Sequence, residues 1–126
     1  EGNDVTVVSF GKIIKEAYKA AELLSSEGID CEIIDLRTVR PMDHKTIINS
    51  VKKTNRLVIL EEAWPFGNVS TEITFQVQSQ AFDYLDAPIE KINTADTPAP
   101  YSPVLLQEWL PSSNDVVNAV KKVLYK

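Results

Sequence analysis

The chain has one histidine, one cysteine and four glycines among its 126 residues, and each scarcity removes a kind of chemistry. A single histidine and a single cysteine cannot assemble the three or four ligands of a zinc site. The serines have no histidine to pair with, because His44 falls at the start of an expected helix, where a solvated side chain is foreseen. None of the glycines is spaced as G-x-G-x-x-G or G-x-x-x-x-G-K, so no phosphate-cradling loop is present. Cys31 cannot close an internal disulfide and, lying in an apolar strand, reads as a buried, inert thiol. No apolar run approaches the roughly 20 residues of a membrane span, and no signal peptide opens the chain. The net charge of -5 and the resulting acidity disfavour nucleic acid and anionic membrane as partners. A soluble, intracellular domain without a complete active site of its own is expected.

What is present is a regular alternation of strand and helix. At 44% apolar and 25% charged residues, a chain of this size buries roughly two-thirds of its unfolded surface in one core. Glu1-Gly2-Asn3-Asp4 is turn chemistry, and a chain that begins inside a turn suggests a piece of something longer. Val5 to Phe10 reads as a first strand, closed by Gly11. Lys12 to Glu27 has the apolar spacing of an amphipathic helix (Ile13, Ala17, Ala20, Ala21, Leu23, Leu24) stopped by Gly28. Cys31 to Leu36 is a second strand, and Asp43 caps a helix burying Ile47, Ile48 and Val51. Arg56 to Leu60 is a third strand, apolar on both faces. Asn68 caps the next helix, which runs to about Gln80. Phe82 to Pro88 connects to a fourth strand, Ile89 to Ile92. The three prolines Pro98, Pro100 and Pro103 predict an extended surface path, then a short turn through Leu105-Leu106. Ser112 and Asp115 form a capping box for a last helix, whose apolar face is Val116, Val117, Val120, Val123 and Leu124. The pattern predicts a parallel sheet between helix layers with right-handed crossovers.

Function in such sheets sits beyond the carboxyl ends of the strands. Four turns should gather there: Ser9 to Gly11, Arg37 to Pro41, Glu61 to Gly67 and Asn93 to Pro98. They bring Arg37, Arg40, Glu61, Glu62, Trp64 and Asp96 together. Glu61 or Glu62 could serve as a general base beside an arginine anion clamp; alternatively, the two glutamates are rim charges answering Arg37 and Arg40. With no partner histidine, metal cluster or phosphate loop, the rim reading is preferred. A phospho-receiver would need acidic residues right after the first strand, where Ser9-Phe10-Gly11 stands. Trp64, Pro65 and Phe66 form an aromatic turn of the kind that anchors protein interfaces, unless Trp64 folds back over its own sheet edge.

Four segments carry a resemblance: Ile34 to Asp43 around Leu36-Arg37-Thr38-Val39-Arg40-Pro41, Lys53 to Val58, Glu62 to Pro65, and Phe82 to Pro88. In order and spacing, from about Asp4 to Lys126, they resemble the C-terminal domain of the pyruvate dehydrogenase E1 β subunit, a member of the transketolase C-terminal family. The arginine block is shared with related 2-oxoacid dehydrogenases, whereas Trp64-Pro65 and Tyr84-Leu85-Asp86-Ala87-Pro88 favour the pyruvate enzyme. Ala63 stands where the family often has glycine, and Gly67-Asn68-Val69-Ser70-Thr71 replaces a more glycine-rich helix entry.

The resemblance implies an α/β fold of three layers, with four parallel strands in the order 2-1-3-4. An antiparallel first edge strand would precede Glu1. Residues 1–126 would then form one domain of a longer β subunit, with the unpaired edge of strand two inviting another chain. It implies thiamine diphosphate and magnesium in the full enzyme, none bound by this domain, and catalytic residues elsewhere. The implied partners are the E1 α subunit and a second β subunit (an α2β2 tetramer), together with the subunit-binding domain of the E2 acyltransferase. Asp86 and the carboxylate of Lys126 match the family's E2-docking positions; the alternative for Asp86 is a turn aspartate bonding its own backbone ahead of Pro88. Trp64, Pro65, Phe66, Arg37, Arg40, Glu61 and Glu62 are expected to lie at a subunit contact. The implied location is the mitochondrial matrix or, alternatively, a bacterial cytoplasm. Alternatives for the whole are another thiamine enzyme (branched-chain 2-oxoacid dehydrogenase or transketolase) or a free-standing α/β module that binds an anion or a partner.

Overall fold

A computed structural model describes residues 1–126. Four strands, β1 (Val5–Ser9), β2 (Cys31–Asp35), β3 (Leu57–Leu60) and β4 (Glu90–Ile92), form one parallel sheet in the order β2-β1-β3-β4. The helices are α1 (Ile14–Ser26), α2 (His44–Thr54), α3 (Val69–Ala81), α4 (Pro103–Trp109) and α5 (Ser113–Val123), with short 3₁₀ turns at Gly11–Ile13 and Phe82–Tyr84. The expected three-layer architecture and strand order are both present.

Successive side chains along a strand point to opposite faces, and the two cores divide on that period. Val5, Val7, Val58 and Leu60 pack with Ala17, Ala20 and Leu24 of α1 and Val116, Val120 and Val123 of α5. Val8, Leu57 and Ile59 pack with Ile47, Ile48 and Val51 of α2 and Ile73 and Val77 of α3. All of β1 and β3 is buried, which is why β3 reads as a continuous apolar run. Thr6 is the polar exception. Its hydroxyl lies 2.7 Å from both Ser50 Oγ and Thr54 Oγ1, a buried trio that ties β1 to α2.

Two helix caps follow the sequence. Asp43 accepts the Thr46 N–H at the start of α2. The Thr46 hydroxyl, then its N–H, hold the Asp43 carboxyl below the usual carboxylate range. The Ser112–Asp115 capping box is complete. The expected turn through Leu105-Leu106 is a helix instead, because Pro103 occupies its first position, where a missing N–H costs nothing. Cys31 is half-buried, and burial, then Asp30 and Asp4, push its thiol up to about 11. His44 is half-buried rather than solvated, and its Nδ1 is enclosed without a partner.

Candidate functional site

The loop after β3 is tethered by side-chain and backbone hydrogen bonds to its neighbours. Leu60 lies opposite Ile92 in the β3–β4 register, so Glu61 and Asn93, one residue beyond each, are lateral neighbours. Glu61 is fully buried. One carboxylate oxygen accepts the Ser70 N–H at 3.2 Å and the other accepts Asn93 Nδ2 at 2.8 Å. Ser70 is in the first turn of α3, whose free N–H groups need acceptors. Glu61 fills that need where Asn68 was expected to. The Asn68 side chain makes no N–H cap; its Oδ1 accepts the Ser70 hydroxyl at 2.7 Å and its Nδ2 donates to the Trp64 carbonyl. A carboxylate at the positive end of a helix is well placed.

Glu61 is therefore a buried carboxylate and not a rim charge, and the expected pairing with arginine does not occur. Arg37 pairs with Asp35 at 2.7 Å on the edge strand. Arg40 is exposed and joins no ion pair, and Glu62 is exposed and joins none. The reason is strand parity. Glu61 continues the face of β3 that Leu57 and Ile59 occupy, so its carboxylate is enclosed against the start of α3. Arg40 instead borders a cavity of about 750 Å³ with Met42, His44, Val69 and Glu72, between the starts of α2 and α3.

Trp64 is held and still half exposed, at 51%. Its indole N–H donates to the Thr97 carbonyl at 2.8 Å, and the Trp109 indole N–H donates to the same oxygen, also at 2.8 Å. Lys91 Nζ reaches the Pro65 carbonyl at 2.9 Å, and the Thr94 N–H reaches the Ala63 carbonyl at 3.0 Å. Phe66, 90% exposed, projects from this fixed loop. Asn93, Ser70, Thr97, Lys91 and Trp109 were not singled out in the sequence. The readable signal was the polar pair Glu61 and Asn93, each immediately past a neighbouring strand. No cluster of three or more histidine, cysteine, aspartate or glutamate side chains could hold a metal ion.

Asp86 lies on a different face, beside the end of α5. It is exposed, with Oδ2 3.8 Å from Arg56 Nη2. Its N–H donates to the Asn55 carbonyl at 2.9 Å, and its carboxylate faces Arg56 and accepts no bond from its own turn. The Tyr125 hydroxyl donates to the Asp86 carbonyl at 3.2 Å, which brings the Tyr125–Lys126 segment alongside. A cavity of about 520 Å³ next to Asp86 is lined by Phe82, Leu85, Pro88, Ile89 and Tyr125, among others.

A four-stranded parallel sheet of this order, closed by a helix pair on each face, defines a three-layer α/β domain. The family model for the transketolase C-terminal domain matches residues 1–116, and the chain belongs to that family. Among curated proteins it is 54% identical over 125 residues to the pyruvate dehydrogenase E1 component subunit beta of Rickettsia felis (strain ATCC VR-1525 / URRWXCal2). That match covers 99% of this chain and 38% of the relative. It is 49% identical over 123 residues to the mitochondrial pyruvate dehydrogenase E1 subunit beta of Dictyostelium discoideum, covering 98% of this chain and 35% of that protein. Among solved structures it superposes on a split-gene transketolase, described as an inactive beta4 tetramer, with a TM-score of 0.85 and 28% identity, over 99% of this chain and 39% of that one. The chain thus spans just over a third of the length of the curated relatives it matches.

Proposed function

We propose that this chain is the C-terminal assembly and docking domain of a pyruvate dehydrogenase E1 β subunit. In this reading the assembled enzyme decarboxylates pyruvate with thiamine diphosphate and magnesium, and passes the acyl group toward acetyl-CoA through its E2 acyltransferase. The observation that carries it is the 54% identity sustained over 99% of the chain. That exceeds the 28% shared with the transketolase neighbour and favours the pyruvate enzyme over a transketolase. In the same reading, cofactor and metal belong to other segments of the assembled enzyme. The rigid Trp64-Pro65-Phe66 ledge, with Glu62 and Arg40 exposed nearby, meets the E1 α subunit or a second β subunit. Arg37, tied to Asp35 at the outer edge strand, belongs to the same contact region.

Asp86, with Lys126 on the same face, receives a basic side chain of the E2 subunit-binding domain. The exposed carboxylate and the adjoining apolar cavity support that role. Relatives from Dictyostelium and rice carry mitochondrial names, and others come from Rickettsia. The assembled enzyme accordingly resides in a mitochondrial matrix or, for a bacterial source, in the cytoplasm. The test uses the assembled E1. Asp86→Ala should weaken binding of the E2 subunit-binding domain in a salt-dependent manner while pyruvate turnover with an artificial acceptor is retained. Unchanged affinity refutes the docking role. Tight thiamine diphosphate binding by the 126-residue chain alone, measured by calorimetry, refutes the assignment of the cofactor elsewhere.

A further inference from the structure

The turn bearing Asp86 and the end of α5 are cross-braced. The Arg56 guanidinium donates through Nε to the Val123 carbonyl at 3.1 Å while its Nη2 lies 3.8 Å from the Asp86 carboxylate. The Tyr125 hydroxyl closes the other side on the Asp86 carbonyl at 3.2 Å. α5 ends in paired backbone bonds, Tyr125 N–H to Lys122 O at 3.2 Å and Lys126 N–H to Lys121 O at 3.0 Å. This is the Schellman arrangement, which places one residue in the left-handed region and normally uses glycine there. Here that residue is Tyr125, at φ 56°. A side chain in this conformation is disfavoured, and with Tyr125 73% exposed, burial of the ring does little to offset the cost. The feature a tyrosine supplies and a glycine would not is the hydroxyl held against Asp86.

We propose that Tyr125 is a positioning residue that fixes the Asp86 carboxylate for a basic side chain of the docking partner; the proposal rests on the docking role given above. Tyr125 acts through the Asp86 main chain and makes no charge contact itself. Without the latch, the Asp86 turn keeps its Asn55 and Arg56 contacts but loses the brace on its carbonyl side, and the freedom gained must be given up at each binding event. The cost of ordering one such group corresponds to roughly threefold to tenfold in affinity.

The experiment is a double-mutant cycle on the assembled E1, with the recombinant E2 subunit-binding domain as probe and affinity measured against salt. Tyr125→Phe should bind roughly threefold to tenfold more weakly with an unchanged salt slope, since the ion contact is kept. Asp86→Asn should reduce that slope. On the Asp86→Asn background Tyr125→Phe should have no further effect. Tyr125→Gly, which relieves the left-handed position and also lacks the hydroxyl, should bind as weakly as Tyr125→Phe. Wild-type affinity of Tyr125→Phe or Tyr125→Gly overturns the proposal, as does equal weakening on both backgrounds, which would make Tyr125 a contact in its own right. An Asp86→Asn enzyme with wild-type affinity and salt slope would overturn the docking role itself, a distinguishable result.

Discussion

Glu61 gives the sharpest test of how the loop after β3 is held. The change Glu61→Gln keeps the shape and removes the charge. The new amide oxygen still accepts the Ser70 N–H, but the amide nitrogen meets Asn93 Nδ2, donor against donor. Asn93 must then turn its amide over, which gives up its 3.4 Å contact with the Trp64 carbonyl. Hydrogen bonds to a charged group contribute about 1.5–3 kcal/mol each against about 1 kcal/mol for neutral ones. Losing the charge from two bonds therefore costs about 1–4 kcal/mol. Against this stands the relief of an enclosed carboxylate whose partners are two neutral donors, since burying an ion is itself expensive. The helix terminus at Ser70 offsets part of that burial cost. The balance predicts a loss of about 1–2 kcal/mol for Glu61→Gln. Glu61→Leu leaves the enclosed Ser70 N–H without an acceptor and costs more, about 2–6 kcal/mol, taking an unmet donor at each end at about 1–3 kcal/mol. Urea unfolding followed by tryptophan emission measures both, with an unchanged denaturant slope required for the comparison. Trp64 and Trp109 share the Thr97 carbonyl, so a released loop also shifts the native emission. A Glu61→Leu protein as stable as the parent, with the same emission, would refute the reasoning.

Two further outcomes follow from the titratable groups. Asp43 has its carboxyl lowered by the Thr46 hydroxyl and N–H. The ionised cap therefore contributes its full stabilisation above the ordinary value of 3.8 and loses it as pH falls through the lower folded value. The melting difference between parent and Asp43→Ala should be constant near neutrality and should close at acid pH; a difference that persists there would count against the cap. Cys31, raised from 9.0 to about 11, should carry about a hundredfold less thiolate at pH 8 than a free thiol. Alkylation by iodoacetamide should be correspondingly slow in the native protein and fast in denaturant, and rapid native labelling would refute the burial argument.

The fold was legible because its signals were local and agreed with one another. The apolar run Leu57 to Leu60, the Asp43 cap and the Ser112–Asp115 box each specify one element, and strand–helix alternation admits few arrangements. The short helix Pro103–Trp109 is hard to read because proline is a breaker in a helix interior and yet is tolerated at the first position, where Pro103 stands. The Glu61 environment was harder for a different reason. Position in the chain puts Glu61 among loop charges, but register decides where its side chain goes. Only the pairing of Leu60 with Ile92 brings Glu61 against Asn93, and only the α3 start at Val69 supplies the Ser70 N–H. Neither is visible in the spacing of carboxylates and arginines, which is why Arg37 and Arg40 looked like its natural partners. Asp86 illustrates the converse. Resemblance alone points to it, and its bracing by Arg56 and Tyr125 joins residues separated by 30 and 39 positions. Charges that answer one another in sequence need not meet, and the polar contacts that matter most here run between strand ends and helix ends that the sheet order alone brings together.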